Sequence, residues 1–187
     1  GSGGHPVRLF CDYQNLPTLL RVASTPVYLG LGPAEYFDRE LMMPGQLSLR
    51  GRPTPEQVAW LERAGVTHLL TRRPLDTSAW PVRQIEHYTA DPFLQVAYAG
   101  GGRHLEFFLY SMNDSRGRLS WLAGEDTASA EITEYTANRV TATVESTRGG
   151  RVVLTDLAYP GWEVSVDGQA AESVRVEPSD GIAGHFG

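Results

Sequence analysis

The sequence predicts an α+β protein: an N-terminal α/β subdomain with short helices, followed by an antiparallel β-sandwich-like module. Three observations carry this expectation. The first half mixes helix start and stop signals with short apolar runs, the pattern of a layered α/β unit. From about residue 117 helix signals vanish and period-2 alternation takes over. Paired glycines and an Asp-Gly step then punctuate the alternating runs as turns between antiparallel strands. The boundary falls near 115 to 118, inside NDSRGR, which gives an α/β subdomain over residues 5–116 and an antiparallel module over 117–187. Residues 1–4 of the opening GSGGHP read as an expression scar joined to an excised segment.

The elements follow in chain order. PVRLFC (6 to 11) reads as a strand, and Val27 to Leu29 as an extended segment. A short helix is expected at about 33 to 42, opened by Pro33 and stopped by Pro44-Gly45. The clearest helix lies in RPTPEQVAWLERAGV, with Thr54 as N-cap, Pro55 in the first helical position and Gly65 just past the end. Its buried stripe would use Val58, Leu61 and Trp60. VTHLLTRR then reads as a strand fed by that helix. VRQIEHYT, FLQVAYA and LEFFLYS read as three more strands, the last two joined by a turn at Gly100-Gly101-Gly102.

In the second module, SAEITEYTANRVTATVEST gives two alternating strands whose Ile132, Val140, Ala142 and Val144 would share an inward face. Gly149-Gly150 turns the chain into RVVLTDLAY. Pro160-Gly161 breaks the extended chain, and Tyr159 and Trp162 on either side are expected to clamp that corner by packing into the module's core. WEVSV, Asp167-Gly168 and AESVRVE then form a tight hairpin of type I′.

Composition narrows the function classes. The 187 residues, 41% apolar and 20% charged, are ordinary for a globular chain able to bury a core. Its net charge of -6 and scattered arginines argue against a nucleic-acid partner, which calls for clustered cations. The Arg72-Arg73 doublet reads as a solvated loop. A lone cysteine, Cys11, reads as a small buried apolar residue and localises nothing. No apolar run approaches the roughly 18 residues of a membrane span.

No motif points to catalysis. Gly30 and Gly32 stand at G-x-G spacing before a helix, but Glu35 occupies the third glycine position of the dinucleotide fingerprint and would repel a pyrophosphate. His5, His68, His87, His104 and His185 lie far apart without metal-binding spacing, and His68 reads as a structural histidine. G-x-S-x-G is missing. The carboxylate pairs Asp38/Glu40, Glu125/Asp126 and Glu131/Glu134 are of the kind a chain with 22 acidic residues produces by chance. Asn113-Asp114-Ser115 is formally an N-glycosylation sequon. The expected catalytic, metal and cofactor sets are therefore none.

Flat aromatic rings stack on sugar faces, so carbohydrate contact is weighed on Trp80, Trp121, Tyr159 and Trp162. Trp80, in a loop between Ala79 and Pro81, is the one expected to be most exposed, and Trp60 is expected in the core.

The stretch ANRVTATVESTRGGRVVLTDLAYPGWEVSVDGQAAE resembles the membrane-distal C-terminal region of YfhO-like bacterial membrane proteins. The resemblance is carried by Asn138, Val140, Val144, Gly150, Val153, Leu154, Asp156, Tyr159 to Trp162, Val166, Asp167 and Gly168. It is specific over about 35 residues, and LERAGVTHLLTRRPLD extends it to residues 54–177. The first 50 residues match loosely. The chain also stops short of the final strands and membrane helix that the family pattern leads one to expect.

The resemblance implies a multi-spanning parent of the GT-C glycosyltransferase type, using polyprenyl-phosphate-linked sugars. This chain would be its extracytoplasmic domain, periplasmic or at the cell surface, tethered to the cytoplasmic membrane. The catalytic acid of such enzymes lies in an early loop outside this segment, so no catalytic residue carries over. The expected function is a non-catalytic domain that positions or recognises glycan or cell-envelope polymer, with the membrane-embedded remainder of the parent chain as partner. The alternative is a structural or protein-interaction module that binds no carbohydrate.

Overall fold

The computed structural model describes residues 7–11, 22–25, 49, 51–99, 105–121, 129–136, 138–156 and 161–172. Among these, eleven strands and two helices follow in the order β1 (Arg8–Cys11), β2 (Ala23–Thr25), α1 (Pro55–Arg63), β3 (His68–Thr71), β4 (Val82–Tyr88), α2 (Pro92–Ala99), β5 (Phe107–Met112), β6 (Leu119–Trp121), β7 (Ser129–Tyr135), β8 (Val140–Glu145), β9 (Val152–Leu154), β10 (Val164–Val166) and β11 (Gln169–Ala171). The expected helix at 33 to 42, the segment Val27 to Leu29, the Gly30/Gly32 loop and the Gly100 to Gly102 turn lie outside the described residues.

This balance overturns the α+β expectation. Among the described residues strands dominate and the helices run to only nine and eight residues, so the described N-terminal half is not an α/β subdomain. It is a five-stranded mixed sheet in the order β2-β1-β3-β5-β4, parallel across β2-β1-β3 and antiparallel across β3-β5-β4. The C-terminal half is not a sandwich either. Among the described residues it forms three two-stranded antiparallel ribbons, β6-β9, β7-β8 and β10-β11. A sandwich needs two sheets burying their inner faces against each other. Here Ala142 and Val144, expected inward, are exposed, and Ile132 and Val140 are only half-buried.

The inner strands β1, β3 and β5 are covered on both faces, which explains why they read as apolar runs rather than alternations, whereas the edge strand β4 is largely exposed. Phe10, Leu69, Phe108, Tyr110 and Met112 point to one face and pack with Trp60 and Leu61 of α1. Leu9, Cys11, Leu70 and Phe107 point to the other and pack with Leu94 of α2. Phe10 meets Trp60 edge to face, with ring centroids 6.4 Å apart.

Helix α1 starts where its sequence says it should. Thr54 accepts a hydrogen bond from Gln57 N and donates its own N–H to Gln57 Oε1, a complete capping box ahead of Pro55. Gly65 ends the helix at φ +63°, and a Cβ there would lie 2.5 Å from Gly117 O and from Thr155 Oγ1. That glycine lets the helix end press on the chain leading into and out of the β6-β9 ribbon.

Helix α2 corrects the strand expected at FLQVAYA. Asp91 accepts from Leu94 N through its side chain and from Gln95 N through its carbonyl, so it is an N-cap with Pro92 in the first turn. The Asp-Pro step ahead of the run marks a helix start, whereas a short apolar run on its own suits a strand or a buried helix. Among the described residues, no helix is long and apolar enough to cross a membrane.

Candidate functional site

The most concentrated chemistry in the described residues joins strands from both halves. Arg8 starts β1 on the same face as Phe10, so its side chain is driven inward, where it is 8% exposed as a residue. A buried guanidinium must be hydrogen-bonded nearly to saturation. Arg8 Nη1 donates to Ala64 O at the end of α1 (2.6 Å), to Thr155 O (2.5 Å) and to Thr155 Oγ1 (3.2 Å). Its Nη2 donates to Asp156 Oδ1. The cation thereby satisfies a carbonyl at the helix C-terminus, where positive charge is also favoured by the helix dipole.

Asp156 has two further partners. Arg118 Nη2 donates to the same Oδ1 at 2.6 Å, and the Tyr135 hydroxyl donates to Oδ2 at 2.7 Å. Arg118 also donates to the Tyr135 oxygen, and its guanidinium carbon sits 3.9 Å from the centre of the tyrosine ring. The extra residue in β7 between Ile132 and Glu134 brings Tyr135 there: Ile132 faces Ala142, but beyond the bulge Tyr135 faces Val140. A one-residue shift moves a side chain to the other face of a strand, so the bulge aims Tyr135 along the face of Ile132.

The electrostatics are those of a structural cluster. Burial works to raise the Asp156 pKa, but the Arg118 hydrogen bond, the Arg8 charge and the Tyr135 hydroxyl outweigh it and hold the carboxyl below its ordinary value. Burial, together with Asp156, pushes the Tyr135 phenol up, so it remains a neutral donor. Burial draws Arg8 down against the opposing attraction of Asp156. A carboxylate held ionised by two arginines is a poor general acid or base near neutrality. Among the described residues, no group of three His, Cys, Asp or Glu side chains could hold a metal ion.

The three described carbohydrate-contact candidates stand in different settings, one in the core, one half-buried and one exposed. Trp80, expected in an exposed loop, is 2% exposed and lies in the core beside Val82, with Nε1 donating to Gly51 O at 2.7 Å. Trp121 is half-buried in β6, and its ring lies where a Cβ on Gly150 would stand, 2.7 Å from Cζ3. Trp162, expected to pack into a core as a clamp, is 39% exposed. Tyr159 lies outside the described residues.

Smaller expectations hold. Cys11 is buried, Arg72 and Arg73 are exposed, and His68 bonds to Thr67 Oγ1 through Nδ1 at 2.9 Å while burial lowers its pKa. Of the acid pairs, only Glu131 and Glu134 are described, both exposed on β7.

Sequence reasoning missed the Arg8–Asp156–Arg118–Tyr135 cluster, whose members lie 17 to 148 residues apart along the chain. One signal was available: Arg8 alternates with an apolar partner in PVRLFC, which places a charge on an inward face. Comparison of the chain with protein-family models, with curated proteins and with solved structures finds no match in any of the three.

Proposed function

We propose that this chain is a non-catalytic structural and protein-interaction module, seated on the extracytoplasmic side of a multi-spanning membrane protein of the YfhO-like, GT-C glycosyltransferase type. The observation that supports it most is the use made of Asp156. This acidic residue of the resembling segment turns inward, and its carboxylate is shared by Arg8, Arg118 and Tyr135. A group committed to three internal bonds serves the join between sheet and ribbons rather than a substrate. Gly150, another residue of that segment, serves packing by leaving room for the Trp121 ring.

The membrane placement rests on the likeness of residues 54–177 to that family. In this reading the membrane-embedded remainder of the parent chain is the first partner, and sugar transfer from a polyprenyl-phosphate carrier belongs to that remainder. The test is the full-length parent protein in membranes with Asp156→Asn. The expected result is reduced assembly of the parent, with transfer per assembled molecule unchanged. Unchanged assembly with lost transfer would contradict the reading.

A second reading, contact with glycan or envelope polymer, is favoured by one observation: the exposure of Trp162. Binding on a glycan array that disappears in Trp162→Ala would establish it in place of the first.

A further inference from the structure

Among the described residues strand β4 ends the mixed sheet, and its outer edge carries an ordered pair of unmatched charges. The register against β5 fixes which way each residue faces. Val82, Gln84 and His87 lie opposite Met112, Tyr110 and Phe108, on the side of α1, and Arg83, Glu86 and Tyr88 lie opposite Ser111, Leu109 and Phe107, on the other side. The extra residue at Ile85 is what sets Arg83 and Glu86 on one face, since in a regular strand residues three apart point to opposite faces. Residues 83–87 are all exposed. Neither Arg83 nor Glu86 takes part in an ion pair among the described residues.

The backbone repeats the same order. Asn113 donates its N–H to Pro81 O, so by antiparallel alternation Pro81, Arg83, Glu86 and Tyr88 turn their backbone groups toward β5. Val82, Gln84 and His87 turn theirs outward, and the His87 N–H donates to Glu86 Oε1 at 3.1 Å. Two such edges fit each other in an antiparallel register about a two-fold axis passing between Gln84 and Ile85. Val82 of each copy then faces His87 of the other in a hydrogen-bonded pair, and Arg83 faces Glu86 in the adjoining non-hydrogen-bonded pair, where side chains stand closer. The two Ile85 side chains, 44% exposed, come together beside the axis. Bulges and charges ordinarily blunt an edge against unrelated strands. A second copy differs from an unrelated strand in bringing the complement of both charges, because the contact is isologous.

We infer that the β4 edge is a self-pairing surface, through which two copies of the chain join their mixed sheets into one across a two-fold axis, with Arg83 of each copy on Glu86 of the other. This goes beyond the interaction-module reading, which concerns the parent chain, and does not depend on it.

Sedimentation equilibrium of the full chain tests it, with Arg83→Glu and Glu86→Arg as variants at exposed positions where folding is little affected. The unsubstituted chain should form dimers as its concentration rises toward about 1 mM. Either variant alone sets like charges against each other at both positions and should dimerise at least about ten-fold more weakly, with unchanged thermal unfolding. An equimolar mixture of the two variants restores opposite charges at both positions and should recover dimers to the unsubstituted level. A monomeric unsubstituted chain overturns the inference. So do dimers that both variants retain in full, and a mixture that stays as weakly associated as its parts. None of these outcomes touches the interaction-module reading, which fails instead on the assembly of the parent protein with Asp156→Asn.

Discussion

Arg8 Nη1 stands 2.5 Å from the carbonyl oxygen of Thr155, a residue 147 positions further along the chain. Through this contact and the adjoining Asp156 carboxylate, the first strand of the mixed sheet is bolted to the end of the β6-β9 ribbon. Long-range polar contacts of this kind contribute most when every member is satisfied and are costly to leave half made.

Replacing Asp156 with Asn should therefore be among the most damaging single changes. It leaves Arg8 and Arg118 buried without their shared counter-charge, a loss of about 3–5 kcal/mol. Denaturant unfolding against the unsubstituted chain checks this. Tyr135→Phe, which keeps the ring under Arg118 and removes only the hydroxyl, should cost about 1 kcal/mol.

The same carboxylate predicts a pH dependence. Because the folded Asp156 pKa lies below the unfolded value near 3.8, its contribution is fully present above that value. It is lost as pH falls through the lower, folded pKa. Stability followed from pH 6 towards pH 2 should fall more steeply in the unsubstituted chain than in Asp156→Asn. Parallel curves would remove Asp156 from the account.

The tryptophans should separate cleanly. Trp80→Ala empties a core site and breaks the bond to Gly51, for a loss of about 3–5 kcal/mol. Trp162→Ala, at an exposed position, should stay within about 0.5 kcal/mol. Thermal unfolding of the two variants side by side decides whether the core position and the hairpin position differ as described.

Gly65→Ala joins two penalties. A positive φ disfavours any side chain, and the new Cβ would meet the backbone oxygen of Gly117 at 2.5 Å. A loss of about 2 kcal/mol or more is expected in denaturant unfolding. Gly149→Ala, at φ 72° but with open space around it, should lose less.

What could be read from the sequence was local. Thr54, Pro55 and Gly65 mark a helix by chemistry confined to one turn at each end, and Asp167-Gly168 sets its hairpin by two dihedral angles. FLQVAYA misled because its apolar run suits a strand or a buried helix, and Asp91 and Pro92 outside the run decided the matter. The sandwich expectation failed because alternation states which residues share a face but not whether another sheet comes to cover it: Ala142 and Val144 alternate as expected and remain exposed. Trp80 looked exposed from its Pro-flanked loop, but the loop folds inward and Gly51 takes its N–H. The Arg8–Asp156 contact was the least legible, since its members meet only after β1, α1 and β9 have assembled.

The central claim is that Arg8 and Asp156 act as one unit holding sheet and ribbon together. A double-mutant cycle on Arg8→Met and Asp156→Asn, read by denaturant unfolding, tests it directly. The account predicts that the double variant loses less than the sum of the two single losses, with a coupling of about 1–3 kcal/mol. Single losses that simply add would contradict it.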